Sequence, residues 1–80
     1  MPTGTTISVT VKLYGVFRIG RYKEQRLTLP QGLTAQAVFD QLQLNPQLIG
    51  IVLINDRHRD LSAMLADGDV LAFLPLLEGG

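Results

Sequence analysis

Eighty residues, 46% of them apolar, are enough for one small folded domain and too few for a second. The absence of cysteine and the single histidine, His58, exclude disulfides, thiolate metal sites and a cysteine nucleophile, and the scattered aspartates lack calcium-loop spacing, so no bound metal is expected. Formal charge is zero but unevenly spread: residues 1–30 hold five cations against Glu24 alone, and residues 31–80 hold Arg57 and Arg59 against six acids, an asymmetry that either orients a protein partner or is compensated within the fold.

Residues Met1 to Thr6 contain no cationic segment leading into an apolar core, so they do not read as a signal peptide. The longest nearly pure apolar run, Leu48 to Ile54, falls far short of the roughly 20 residues a membrane-spanning helix needs. A cytoplasmic protein without membrane association is the expectation.

Ile7, Val9, Val11 and Leu13 alternate with Ser8, Thr10, Lys12 and Tyr14, the period of a strand with one buried face. Gly15 and Gly20 bracket a connection rich in arginine and aromatics, and Gln25 to Leu29 alternates again, completing an antiparallel hairpin. Pro30, Gln31 and Gly32 break that strand, and Thr34 stands where a helix N-cap is wanted, with Leu33 and Val38 in the positions of a hydrophobic staple. The helix is predicted over Ala35–Gln43, with Val38, Phe39 and Leu42 facing a core, and it stops before Asn45-Pro46.

Leu48 to Ile54, rich in β-branched residues, reads as a central strand covered on at least part of both faces. Asn55-Asp56 supplies a turn, Arg57 to Asp60 returns as a minor edge strand, and Leu61, Met64 and Leu65 are expected to tuck a turn of helix under the sheet. Ala66-Asp67-Gly68-Asp69 is a further turn, and Val70 to Leu74 is the last strand. The order predicts an α+β fold, a mixed sheet of four to five strands crossed by one main helix, over residues 1–74, followed by a flexible tail over 75–80.

That tail holds the most distinctive chemistry. Gly79 and Gly80 have no Cβ, so together they form a thin end whose carboxylate can enter a channel too narrow for any other residue pair. His58, set between Arg57 and Arg59, reads as a solvated surface residue rather than an acid or base, and Asp67 and Asp69 suit their turn. Tyr14, Phe17, Arg18, Arg21, Tyr22 and Lys23 offer stacking and phosphate contacts in principle, but zero net charge and two lysines argue against nucleic-acid binding. That stretch reads as surface or subunit contact.

From about Val9 to Gly80 the chain resembles the ubiquitin-like β-grasp sulfur carriers of the MoaD/ThiS family. The resemblance is most specific where Leu53-Ile54-Asn55, Leu65-Ala66-Asp67-Gly68-Asp69-Val70, Ala72-Phe73-Leu74-Pro75 and Gly79-Gly80 follow one another. It implies a β-grasp fold and no active site of the chain's own. In that family an activating enzyme, a ubiquitin-activating-like adenylyltransferase, uses ATP to adenylate the terminal glycine, here Gly80, and a sulfur donor converts the adenylate to a thiocarboxylate. Gly79 then serves threading, while Phe73, Pro75, Leu76 and Leu77 are expected to bind a partner's groove, and no cofactor is bound by the carrier itself.

Lys12-Leu13-Tyr14-Gly15-Val16-Phe17-Arg18 looks like the first strand and loop of the molybdopterin synthase small subunit, which implies a larger synthase subunit as a second partner. Leu74-Pro75 and Glu78 depart from that subunit's usual Pro-Pro pair and small residue. A thiamine-thiazole sulfur carrier, a ubiquitin-like protein modifier and a non-catalytic β-grasp interaction domain stand as the alternatives.

Overall fold

The computed structural model describes residues 5–76. Its elements are β1 (Thr6–Leu13), a 3-10 turn (Gly15–Arg18), β2 (Glu24–Pro30), α1 (Ala35–Gln41), β3 (Ile49–Ile54), β4 (Arg57–Arg59) and β5 (Val70–Pro75). The strands form one mixed sheet in the order β2-β1-β5-β3-β4, with β1 and β5 parallel and the other neighbours antiparallel. This is the ubiquitin-like β-grasp, an α+β fold.

The alternation in β1 places Ile7, Val9, Val11 and Leu13 in the core against Val38 and Phe39 of α1, so the helix lies on one face of the sheet. Thr34 caps the helix as its position predicts, its hydroxyl accepting from the Ala37 amide at 3.3 Å. The helix ends at Gln41, two residues earlier than the pattern predicts. Gln43 takes a left-handed φ of 57°, which turns the chain so that Leu44 returns to the core. Arg21 steadies this end by donating to the Leu42 and Gln43 carbonyls at 3.3 Å each.

Two expectations are corrected. Leu61 to Leu65 form no helix: after a turn at Leu61 and Ser62, closed by the Ala63 amide donating to the Asp60 carbonyl at 3.2 Å, the chain runs extended beside the start of α1, with a bridge between Thr34 and Met64. The carbonyls of Ala63 and Leu61 accept from the Ala35 and Gln36 amides at 3.0 and 2.8 Å, filling acceptor positions that the first turn of a helix leaves open. Extended backbone makes Ala63 and Leu65 point inward and leaves Met64 65% exposed. The second correction concerns β3. The central strand is β5, between β1 and β3, whereas β3 lies one from the edge with Ile51 39% exposed.

Three aromatic rings tie the layers together. Phe39 of α1 meets Phe73 of β5 edge-on at 5.2 Å and Phe17 of the 3-10 turn at 6.2 Å. Phe17 is therefore core, and Tyr22 packs against that core, so part of the aromatic and basic stretch read as a contact surface is structural. The turn before β5 is held by side chains: Asp69 accepts from the Ala66 amide at 2.8 Å and the Asn55 amide group at 2.9 Å, and Asp67 accepts from the Ser8 amide at 2.7 Å. Both aspartates serve their turn.

Candidate functional site

The site to be positioned is the departure point of the C-terminal tail. Leu77, Glu78, Gly79 and Gly80 lie outside the described residues, so the structure places the root of the tail and not its tip. Pairing continues one residue past the predicted strand end, with Pro75 opposite Ile49, and the Leu76 amide donates to the Leu48 carbonyl at 2.7 Å. The tail therefore leaves from between β1 and β3 at the end of the central strand, the most constrained strand in the sheet.

Of the residues predicted to meet a partner, Pro75 is half-buried and Leu76 is 53% exposed, and both lie at that root. Phe73 does not belong with them. It is 0% exposed and packs on Phe39, because strand alternation sends Leu71 and Phe73 to the helix side of β5. Its role is to anchor the strand that carries the tail.

Alternation sends the neighbouring residues to the face without a helix. There the register lines up Glu24, Lys12, Ala72, Leu53 and His58 in one row across all five strands. Next to it Leu74 pairs with Ile51, and Val70 with Thr10. The middle of this face is thus an apolar strip of Ile51, Leu53 and Leu74, running on to Leu76, with polar and charged residues at its two ends. Sequence reading missed Ile51, Leu53 and Leu74 as surface residues. Their signal was present as every second position of an apolar run, but the run could not say which face the helix covers.

His58 is exposed on the edge strand, as expected. Beside the tail root, Lys12, Leu13, Tyr14, Arg18, Lys23 and Glu24 line a shallow depression with three cations and one acid. Among the described residues, no cluster of His, Asp or Glu is placed to hold a metal ion, and no helix is long and apolar enough to cross a membrane. Chemically, the described residues present the root of the C-terminal tail beside an apolar strip and a charged depression.

Comparison with known proteins gives a consistent picture. The model of the ThiS family matches residues 11–80. The solution structure of the HVO 2177 protein of Haloferax volcanii is similar at a TM-score of 0.76 with 26% identity, covering 94% of this chain and 88% of that one. The crystal structure of SAMP1, a small archaeal modifier protein of the same organism, gives 0.72 and 25% identity over 91% of this chain and 99% of its own. A protein–protein complex of subunits 1 and 2 of the molybdopterin-converting factor from Helicobacter pylori contains a chain similar at 0.62 and 22% identity, covering 92% of this chain and 100% of that one. A 44-residue stretch is 52% identical to part of the threonine–tRNA ligase of Chlamydia pneumoniae, covering 55% of this chain and 7% of that enzyme's length.

Proposed function

Because the chain belongs to the ThiS family, we propose that it is a sulfur carrier whose Gly80 carboxylate is adenylated and then converted to a thiocarboxylate. The observation that carries this reading is that the family match runs through the diglycine to residue 80. A free α-carboxyl group has a pKa of about 3.3–3.7 and is ionised at neutral pH, which makes it a poor electrophile. Attack of that carboxylate on the α-phosphorus of ATP, with loss of pyrophosphate, creates an acyl-adenylate. A sulfur nucleophile from the donor then adds at the carbonyl carbon and expels AMP. The chain supplies the reacting group, and the catalyst is the adenylating partner.

The strip of Ile51, Leu53, Leu74 and Leu76 supports docking of that partner, since it runs continuously into the tail that must enter the active site. From Leu76, the four residues 77–80 reach roughly 13–14 Å when extended, at about 3.3–3.6 Å each, so the domain can rest outside while Gly80 reacts inside. Gly79 leaves the channel no side chain to exclude. A larger synthase subunit receiving the sulfur, in molybdopterin formation, is the downstream partner we favour, by likeness to the Helicobacter two-subunit complex.

The test is an intact mass spectrum after incubation with ATP, the activating enzyme of the same organism and a sulfide source. The expected product gains the mass of one sulfur in place of one oxygen, localised to Gly80, and an unchanged mass refutes the carrier reading. A second reading, a protein modifier, is favoured by the likeness to SAMP1. It requires lysine-linked adducts in cell extract that disappear when Gly79 and Gly80 are deleted, and their absence argues for the carrier.

A further inference from the structure

The root of the tail is seated between two glycines from different parts of the fold. A Cβ built on Gly50 of β3 would lie 3.0 Å from the Leu76 nitrogen and from the carbonyl carbon and oxygen of Pro75. A Cβ on Gly15, at the start of the 3-10 turn, would lie 2.9 Å from Cγ of the Pro75 ring, and Gly15 has a φ of +57° that also disfavours other residues. The Pro75 ring thus rests on Gly15, and the peptide that follows it rests on Gly50.

Glycine weakens a strand, and Gly50 is exposed in one that is otherwise apolar and partly β-branched. Its backbone φ is not in the left-handed region, so conformation does not demand glycine there. The close approach of the Pro75–Leu76 peptide does. Backbone cannot rotate out of the way as a long side chain can, so any Cβ at Gly50 must push that peptide outward. The first bond at risk is the one from the Leu76 amide to the Leu48 carbonyl, across the bulge between Ile49 and Ile51.

We propose that Gly15 and Gly50 are positioning residues that aim the C-terminal tail, so that Gly80 enters the adenylating partner in a productive direction. The consequence for catalysis rests on the sulfur-carrier reading, but the seat itself does not. Altering the seat shifts Leu76 but leaves Leu53 and Leu74 of the docking strip in place, so recognition weakens only slightly, whereas misdirection of the reacting carboxylate slows the chemical step. Misplacement of a reacting group by about 1 Å can cost on the order of a hundredfold in rate.

The experiment compares the wild-type chain with Gly50→Ala, Gly50→Val and Gly15→Ala. Amide hydrogen exchange by NMR is measured alongside ATP–pyrophosphate exchange with the activating enzyme of the same organism. In Gly50→Val we expect protection of the Leu76 amide to fall about tenfold or more while the Val52 and Ile54 amides stay protected. The turnover number should fall about tenfold with KM within about twofold of wild type, the split expected of a positioning role. Gly50→Ala gives a smaller change in the same direction and serves if the valine variant does not fold. Unchanged Leu76 protection in the folded variants overturns the seat. Lost protection with unchanged turnover overturns its role in aiming. A wild-type chain that supports no pyrophosphate exchange refutes the carrier reading instead, and the Leu76 amide still decides the seat.

Discussion

Replacing Phe73 by alanine separates an anchor from a partner contact. The ring is fully buried and lies edge-on to Phe39 at 5.2 Å, at the junction of sheet, helix and, through Phe39, the 3-10 turn. Truncating a buried phenylalanine costs about 3–5 kcal/mol, because the transfer free energy is lost and a cavity remains. A domain of this size holds only about 4–12 kcal/mol in total, at about 0.05–0.15 kcal/mol per residue. The melting temperature should therefore fall by about 12–40 °C, at about 4–8 °C per kcal/mol for a domain of 60–100 residues. The chain has no tryptophan, so far-UV circular dichroism against temperature and urea is the appropriate assay. Phe73→Leu, which retains most of the volume, should cost less than about 1.5 kcal/mol and keeps the comparison readable if the alanine variant is unfolded. A Phe73→Ala protein melting within about 4 °C of wild type would contradict the burial argument and return Phe73 to the surface.

Three further outcomes are expected. Ile51→Glu places a charge on the open face, and should change stability by no more than about 0.5 kcal/mol while raising KM for the adenylating partner severalfold; unchanged KM removes the strip from the docking surface. Among the described residues the buried Tyr22 hydroxyl has no hydrogen-bond partner, and burial pushes its phenol pKa up against the opposing pull of Arg21, so Tyr22→Phe should stabilise the fold by about 1 kcal/mol in urea melts. Asp60 is held below the usual carboxylate range by hydrogen bonds from the Ser62 hydroxyl and amide. A depressed folded-state pKa contributes stability above the unfolded value and loses it as pH falls through the folded one. Ser62→Ala should therefore raise the Asp60 pKa read by carboxyl-carbon NMR, and shrink the acid-side loss of stability; an unmoved titration curve rejects that account.

Much of the architecture was legible along the chain. Alternation in Ile7 to Leu13 and the Thr34 cap are local signals whose physics is complete within a few residues, the Asp67-Gly68-Asp69 turn was legible from its residue types although Ser8 and Asn55 complete its hydrogen bonds, and each element formed where its signal stood. The helix end was less legible, because Gln43 adopts its left-handed conformation to return Leu44 to the core, and no local rule places a non-glycine residue there. Leu61 to Leu65 misled because apolar spacing in so short a segment fits a helical turn and an extended strand alike. The amides of Ala35 and Gln36, distant in sequence, decided between them by requiring carbonyl acceptors.

By itself the sequence determined the fold class and the family, because these rest on residue types in order: alternating apolar positions, a capped helix, and the turn, strand and diglycine that follow one another in the last third. Tertiary structure alone decided which face of each strand is covered. A strand's period says that two faces differ but not which one meets the helix, so Phe73 exchanges the surface for the core while Ile51, Leu53 and Leu74 take its place outside. It also decided that the Pro75 ring rests on Gly15 and the following peptide on Gly50, since contacts between residues far apart in the chain, close enough to leave no room for a Cβ, exist only once the sheet has formed.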